Sequence, residues 1–282
     1  MSTILITDVN ALAADAKLSS NNAFQSQTIT RLTSGYRIET AGDDPTGIAI
    51  ADKYRSGTAE FTEAVNNLNA GVGMLQIMDG GMTDIAQMLD RLKTLATQSA
   101  SDSFTGDRNT VNSEFQTLLT EIDREAQQIG LNTSGQYAQP LAFYGGGGNS
   151  SEATVNVDLS ACAVDTQGLG LATSMPGGAN VNISVTTQDS AQGALTAISA
   201  AVDKLGVLQA VVAKGENQCS SAMNQAQSQI TNFSAGDSGL RDADMAAEAS
   251  NLTRSQILQQ ASLAAISQAN LAAQAVLTLL KG

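Results

Sequence analysis

Hydrophobic residues recur every three or four positions through long parts of the chain, and this spacing predicts helices. The clearest pattern runs from Leu195 to Phe233, where polar Gln209 and Glu216 occupy two of the apolar positions. A pattern sustained over this length predicts coiled-coil packing. Gly236 follows it, and because glycine commonly ends helices we predict that this helix stops there.

A second long helix is predicted from Pro45 to about Ser99, with Asp43 and Asp44 available to cap its first turn. Glycines inside it each cost a helix roughly 1 kcal/mol relative to alanine, and close helix packing would be a reason to keep them. Its predicted heptad positions are Phe61, Val65, Leu68, Val72, Leu75, Met82 and Leu89. A shorter helix is predicted next, along Val111, Phe115, Leu118, Ile122 and Ile129.

The two chain ends also have helical patterns, but they carry few charges. Residues 4–34 form the first predicted helix, which Gly35 would end. Met245 to Lys281 contains neither Gly nor Pro and is predicted as one helix. Its apolar residues lie on two sides, so it needs covering on two sides unless it is an ordinary bundle helix. One side contains Ile257, Ala261, Ala264, Leu271 and Ala275, and the other contains Leu258, Ala265, Ala269, Ala272, Val276 and Leu280.

The middle of the chain has a different character, with no Lys or Arg between Glu125 and Asp203. Residues 153–159 alternate apolar and polar side chains, which predicts a strand, and residues 179–187 are a candidate for another. The run of glycines from Gly145 to Gly148 is predicted to be a hairpin turn. A phosphate-binding loop would require a following Gly-Lys-Ser/Thr, which is absent from the sequence.

Composition narrows the function classes. The 282 residues carry 14 basic and 27 acidic side chains, a net charge of -13, which argues against nucleic-acid binding. A chain without His cannot build a Ser-His or Cys-His dyad, so we predict no catalytic, cofactor or metal site. Cys162 and Cys219 are far apart in sequence and are predicted to stay reduced. We expect no Sec signal peptide. Because the sequence has no apolar run of about 20 residues, we also predict no membrane insertion.

Several motifs at both ends of the chain resemble those of bacterial flagellins. Those of the N-terminal half are RLTSG at 31–35, Arg37-Ile38, DDPTGIAIA at 43–51 and EIDR at 121–124. Those of the C-terminal end are RDAD at 241–244, Glu248, NLTRSQI at 251–257, QQA at 259–261, Ala269-Asn270 and Val276-Leu277. The resemblance covers about residues 1–140 and 190–282, and several ordered motifs make it far more specific than a single match.

The resemblance implies a mainly α fold. Long antiparallel coiled-coil helices from both chain ends would form the domains called D0 and D1, with a small β-hairpin region in the middle. The chain would be a short form with little or no outer D2 domain and no D3. The expected segments are an N-terminal D0 helix and spacer (1–42), N-terminal D1 helices (43–140), a β-hairpin and short variable tip (141–190), a C-terminal D1 helix (191–236) and a C-terminal D0 helix (237–282).

The implied function is that of a structural subunit which polymerises into the bacterial flagellar filament used for motility, and not an enzyme. Stacking copies in an open helical array would bury the apolar faces of the end helices. The predicted assembly interface comprises Leu5, Val9, Leu12, Arg31, Leu32, Ile257, Ala261, Ala264, Leu271, Ala275, Val276 and Leu280.

The resemblance also implies partners and a location. The chain would bind itself in a helical homopolymer, alone or mixed with other flagellins, and would meet a flagellar export chaperone, the filament cap and the hook-filament junction proteins. It would be extracellular, exported through the flagellar type III channel. In the segment 89–95, Asp90 and Thr94 depart from the pattern of flagellins that stimulate Toll-like receptor 5. Binding to that receptor is therefore not carried over, and a solvated helix face is the alternative.

Two other functions stay open from the sequence. A flagellar hook-filament junction protein shares these end motifs, although the Asp43-Asp44-Pro45 context and the ending VLTLLKG favour flagellin. A membrane-active, type III secreted coiled-coil protein would require a long apolar hairpin, which the sequence lacks. A flagellin carrying a metalloprotease is disfavoured, because the chain has no His and therefore no HExxH motif.

Overall fold

The computed structural model describes residues 9–148, 153–174 and 180–281, which are mostly helical. Two compact units are present: Met1–Ser56 together with Asn232–Gly282, and Gly57–Thr231. The elements, in chain order, are α1 (Val9–Ser34), α2 (Pro45–Ala100), α3 (Arg108–Gln128), β1 (Pro140–Tyr144), β2 (Thr154–Asp158), α4 (Thr166–Leu169), β3 (Ala172–Ser174), β4 (Asn180–Asn182), α5 (Gln188–Arg241) and α6 (Met245–Lys281).

The unit built from the chain ends confirms the predicted helices α1 and α6. Residues 4–8 of the first predicted helix lie outside the described residues. Gly35 ends α1 with φ of 77°, a conformation that costs a residue without Cβ little. Asp44 caps α2, because its Oδ1 accepts hydrogen bonds from the N–H groups of Thr46 and Gly47, each at 3.0 Å.

The predicted end of α5 at Gly236 is wrong, because the helix continues to Arg241. Gly236 packs beneath the ring of Tyr54, where an added Cβ would lie 3.1 Å from the nearest ring carbon. The Tyr54 ring in turn stacks on Phe233, with 5.7 Å between ring centroids. This glycine therefore permits close packing of α5 on α2 and does not end the helix.

In the unit Gly57–Thr231, the buried seam of each long helix is rotated from the predicted one. Alternate predicted heptad positions are less buried than expected: Val65 and Val72 are half-buried, with Val72 still packed against the core, and Val202 is exposed. The residue before each of them, Ala64, Gly71 and Ala201 respectively, is buried. The buried residues of α2 include Ala64, Leu68, Gly71, Leu75, Met78, Met82, Ile85, Leu89 and Leu92. Those of α5 include Ala194, Ile198, Ala201, Leu205, Leu208, Val212, Gly215, Cys219 and Ala226.

The β-hairpin packs against one residue of the buried seam on each long helix. Strands β1 and β2 pair antiparallel, with Leu141 opposite Val157, as the alternation in residues 153–159 predicts. The ring of Phe143 packs on Gly71, and the methyl groups of Val157 pack on Gly215. An added Cβ would lie 2.8 Å from the nearest side-chain carbon at either glycine. The hairpin thus needs small residues at positions where a simple coiled coil would place large ones.

The second predicted strand is only partly correct. β4 pairs with β3 but ends at Asn182, and position 179 lies outside the described residues. Beyond β4, the N–H of Ile183 still donates to the carbonyl of Leu171 at 3.0 Å, and side chains bind the carbonyl groups that follow. Gln116 Nε2 donates to the carbonyl of Ile183 at 2.8 Å, and the Ser99 hydroxyl donates to the carbonyl of Val185 at 2.6 Å. Backbone groups satisfied in this way need no partner strand.

Helix α5 is long and apolar enough to cross a membrane by length and composition, with a mean hydropathy of 1.5 over an 18-residue window. Among the described residues it is the helix that meets this criterion. Its side chains at Ile198, Leu205 and Val212 are fully or almost fully buried in the core. Within the 18-residue window, 28% of the residues are buried.

Candidate assembly surface

Helices α1 and α6 pack side by side in opposite directions. Near the end of α1, Arg31 NH1 lies 3.4 Å from Glu248 Oε1 at the start of α6. Further back along α1, Asn21 Nδ2 donates to the carbonyl oxygen of Ser255 at 2.7 Å. Residues further along α6 contact residues earlier in α1, so the two helices are antiparallel, as the sequence predicted.

The sides that α1 and α6 turn towards each other carry buried polar residues. Thr28 is 2% exposed, Ser255 is 0% exposed and Glu248 is 8% exposed. The Ser255 hydroxyl donates to the carbonyl of Leu252 at 2.8 Å, so it is satisfied without water. Hydrogen-bonded polar groups can be buried at modest cost, but they contribute little hydrophobic stabilisation.

Large apolar side chains lie on the other, outward sides of the same two helices. Leu12 is 63% exposed and Ile257 is 61% exposed, although both belong to predicted apolar seams. Large apolar side chains exposed on a folded unit are candidates for an interaction site. The outer face is defined here as the exposed apolar residues Val9, Leu12, Phe24 and Ile29 on α1 and Met245, Ile257, Leu258, Ala261, Leu263, Ala264 and Leu271 on α6.

The structure gives the predicted assembly residues different environments. Arg31 is partly buried in its ion pair with Glu248, and Leu32 is half-buried, so both contribute contacts within the chain. Leu5 lies outside the described residues, as do the side chains of Ala275, Val276 and Leu280. Exposed members of the set are Val9, Leu12, Ile257, Ala261, Ala264 and Leu271.

Sequence reasoning missed the residues that face inward between α1 and α6. Asn21 and Thr28 are spaced by seven on α1, and Glu248 and Ser255 are spaced by seven on α6. A heptad repeat of polar residues was therefore the signal for this contact. Apolar periodicity does not indicate this contact, because the apolar repeat of these helices faces outward.

Two spacer segments meet in a short antiparallel bridge. The N–H of Arg37, just after α1, donates to the carbonyl of Arg241 at 2.5 Å, and the N–H of Ala243 donates to the carbonyl of Gly35 at 2.8 Å. The guanidinium of Arg241 lies 4.3 Å from the centroid of the Tyr36 ring, a cation–π contact. The bridge brings the RLTSG and RDAD motifs together, a contact that neither motif indicates by itself.

In the other unit, Glu60 of α2 holds the glycine turn of the hairpin. Its Oε1 accepts hydrogen bonds from the hydroxyl of Tyr144 at 2.6 Å and from the N–H groups of Gly147 at 3.0 Å and Gly148 at 3.1 Å. The Tyr144 hydroxyl first, and then the two N–H groups, hold the pKa of Glu60 below its ordinary value. The same contact raises the pKa of Tyr144.

Cys162 and Cys219 are buried free thiols, and burial first, with a nearby carboxylate second, raises the pKa of each. A raised thiol pKa leaves less of the reactive thiolate at neutral pH. Within the residues that the structure describes, no group of three His, Cys, Asp or Glu side chains is placed to hold a metal ion.

Comparison with known proteins decides the family. The family model for the bacterial flagellin N-terminal helical region matches residues 6–137, and that for the bacterial flagellin C-terminal helical region matches residues 193–280. This chain belongs to the bacterial flagellin family. As a flagellin, it is a structural subunit of the extracellular flagellar filament.

Relatives match this flagellin over almost its full length. The flagellar filament 30.7 kDa core protein of Treponema maltophilum is 30% identical over 98% of this chain and 99% of its own. A flagellin of Halalkalibacterium halodurans is 30% identical over 89% of this chain and 90% of its own. The crystal structure of Bacillus cereus flagellin matches 61% of this chain and 94% of its own, with 22% identity and a TM-score of 0.46.

Proposed function

We propose that copies of this flagellin bind one another in the filament through the outer face of α1 and α6. One observation carries the proposal: the pair buries polar residues such as Ser255 between its helices while Leu12 and Ile257 remain exposed. A helix pair that only had to stabilise itself would place its large apolar side chains inside. The reverse arrangement is useful when the apolar side has to meet other molecules.

The energetics of the outer face favour polymerisation. Fully burying one Leu or Ile side chain contributes about 1.5–3 kcal/mol, and each added subunit would bury several of them. No charged residue lies between Arg254 and Lys281, so burial of this stretch of α6 removes no ion from water. A contact that joins different surfaces of neighbouring copies does not close on itself, and it therefore extends into a filament.

The proposal assigns a role to each segment of the chain and to each assembly residue. Residues 1–42 and 237–282 act as the D0 segments, and 43–140 and 191–236 act as the D1 segments around the hairpin and tip at 141–190. The assembly interface retains Leu5, Val9, Leu12, Ile257, Ala261, Ala264, Leu271, Ala275, Val276 and Leu280, while Arg31 and Leu32 support it from inside the pair. The role is mechanical, with no enzymatic activity.

Further partners follow from family membership. We infer that the chain leaves the cell through the flagellar type III channel without a Sec signal peptide, with an export chaperone holding its C-terminal helix. It would then assemble beneath the filament cap, on the hook-filament junction proteins, alone or mixed with other flagellins. We propose neither nucleic-acid binding nor membrane insertion. Because Asp90 and Thr94 depart from the pattern of stimulatory flagellins, we do not propose binding to Toll-like receptor 5 either.

The substitution Ala264→Glu tests the outer face. Ala264 is a small, exposed residue of α6, and glutamate there would bring bulk and an unpaired carboxylate into the proposed contact. Overpacking costs about 1–3 kcal/mol, and an unpaired buried charge costs several more. We expect no filaments by electron microscopy after seeding, with helix content by circular dichroism unchanged.

The matched control is Ala161→Glu, at an exposed residue of the turn after β2. It adds the same charge to the other unit and should polymerise like the unmodified protein. If Ala264→Glu formed filaments in the same yield as the unmodified protein, this side of α6 would not belong to the assembly contact.

A further inference from the structure

We propose that the polar residues between α1 and α6 lock the register of the pair, and that the Arg31–Glu248 ion pair is its main determinant. This proposal rests on the proposed function, because the lock matters by fixing how the two halves of the outer face line up. Arg31 and Glu248 would thus be positioning residues for assembly, without themselves touching a neighbouring subunit.

Apolar packing alone leaves this register weakly specified. The buried and half-buried residues of α1 are Ala11, Ala14, Leu18, Asn21, Gln25, Thr28, Arg31, Leu32 and Ser34. Those of α6, among the side chains that the structure describes, are Glu248, Asn251, Leu252, Ser255, Gln259, Ser262, Ile266 and Ala269. Large apolar side chains in these sets are limited to Leu18 and Leu32 on α1 and Leu252 and Ile266 on α6. Sliding one helix past the other by a turn would therefore exchange mostly small or polar contacts for similar ones.

The ion pair removes this freedom. Arg31 NH1 lies 3.4 Å from Glu248 Oε1, and the two side chains are 25% and 10% exposed. Asn251 Nδ2 contacts the other carboxylate oxygen of Glu248 at 3.4 Å. A slip of one turn would leave the shielded Glu248 carboxylate without its cation, and breaking a partly buried pair costs more than breaking a fully exposed one. Buried polar groups that fix register are well attested in coiled coils.

Contacts further along the pair agree with the same register. Asn21 Nδ2 reaches the carbonyl of Ser255 at 2.7 Å, and Gln259 Nε2 reaches Asn22 Oδ1 at 3.2 Å. Together with the ion pair, these bonds hold α6 against α1 from Arg31 back to Asn21. The fixed register sets the offset between the apolar residues of α1 and those of α6. A polymer requires that every subunit present the same offset.

The test is a charge swap read out by seeded filament growth. Arg31→Glu and Glu248→Arg, made singly, place like charges in a shielded site, and each should slow growth at least about tenfold, given the cost of breaking a partly buried pair. The combined swap Arg31→Glu with Glu248→Arg restores opposite charges and should recover most of the growth rate. Rescue distinguishes a register pair from two residues that matter independently.

A matched control reverses an exposed ion pair of the same unit. Arg55 NH2 lies 2.9 Å from Asp52 Oδ1, with side chains 70% and 55% exposed, and Arg55→Glu should leave growth unchanged. Register itself is read by a short bis-maleimide on filaments carrying Asn22→Cys with Gln259→Cys, which should link. The pair Asn22→Cys with Ile266→Cys, one heptad further along α6, should not. The buried native thiols keep the background low.

The outcomes separate the register lock from the assembly face. The lock would be overturned if either single charge reversal grew as fast as the unmodified protein, or if the combined swap grew as slowly as the single changes. A cross-link through Ile266→Cys instead of Gln259→Cys would also overturn it. If Ala264→Glu stops growth while the single reversals grow normally, the outer face stands and the lock alone is wrong. If Ala264→Glu also grows normally, both proposals fall.

Discussion

The carboxylate of Glu60 holds the glycine turn of the hairpin against α2. Gly146, Gly147 and Gly148 all have positive φ, between 85° and 102°, which glycine adopts without steric cost. This geometry lets two successive N–H groups point at one carboxylate oxygen, as in a small anion-binding nest. A single side chain thus fixes a turn that would otherwise have high conformational freedom.

Acid should release this contact. Because hydrogen bonds lower the folded-state pKa of Glu60, its stabilising effect is complete above the unfolded value near 4.5 and is lost as pH falls through the folded pKa. We expect the amide protection of Gly147 and Gly148, corrected for intrinsic exchange, to decline below that pH. In Glu60→Gln, the amide protection of Gly147 and Gly148 should already be weak at neutral pH. It should not change further as the pH falls below the unfolded value of Glu60.

Glu63→Gln is the matched control, because Glu63 is exposed on the same helix and its carboxylate accepts a hydrogen bond from Asn66 Nδ2 at 3.4 Å. Hydrogen exchange followed by mass spectrometry measures both variants. A Glu60→Gln protein with an unmodified protection profile would show that the carboxylate does not hold the turn.

At the scale of elements, small residues decide how α5 packs. Gly206 and Gly215 lie on the same helix, but Gly206 has open space around it, whereas Gly215 contacts Val157 and Leu75. Val157 is β-branched and 3% exposed, so it has little room to move away. Two glycines of one helix therefore serve different purposes, one tolerated and one required.

Substituting each glycine with alanine should shift stability in opposite directions. Gly206→Ala should raise the urea midpoint of the helical signal, because alanine favours a helix by about 1 kcal/mol over glycine. Gly215→Ala gains the same propensity but brings a Cβ to 2.8 Å from Val157, and overpacking of about 1–3 kcal/mol should lower the midpoint. Urea titration by circular dichroism measures both, and a higher midpoint for Gly215→Ala would contradict the packing described here.

These elements also show how far sequence patterns reach. Helix positions and the β2 strand follow from periodicity, because each is set by residues close in the chain. The seams on α2 and α5 include the places where a distant hairpin packs, so no local repeat could show that Gly71 and Gly215 are core positions. The inward polar side of α1 and α6 is hidden for another reason: apolar periodicity correctly finds a face, but it does not say which molecule covers that face.

At the scale of the whole molecule, the unit formed by the chain ends and the unit Gly57–Thr231 differ in where their apolar residues lie. The unit Gly57–Thr231 buries a continuous apolar core, including Leu75, Leu89 and Phe115. The helix pair of the other unit instead leaves Leu12 and Ile257 exposed. We infer that the first unit is stable within one chain, whereas the second completes its apolar burial only among neighbouring copies.

Thiol labelling of Ala264→Cys in soluble protein and in filaments tests this inference most directly. Cys162 and Cys219 are 1% and 0% exposed, so they contribute little background to the reaction. Ala161→Cys, at an exposed turn of the other unit, serves as the control. We expect a maleimide to react readily with both variants in soluble protein, and with Ala161→Cys alone in filaments. Equal labelling of Ala264→Cys in soluble protein and in filaments would contradict burial of the outer face on assembly.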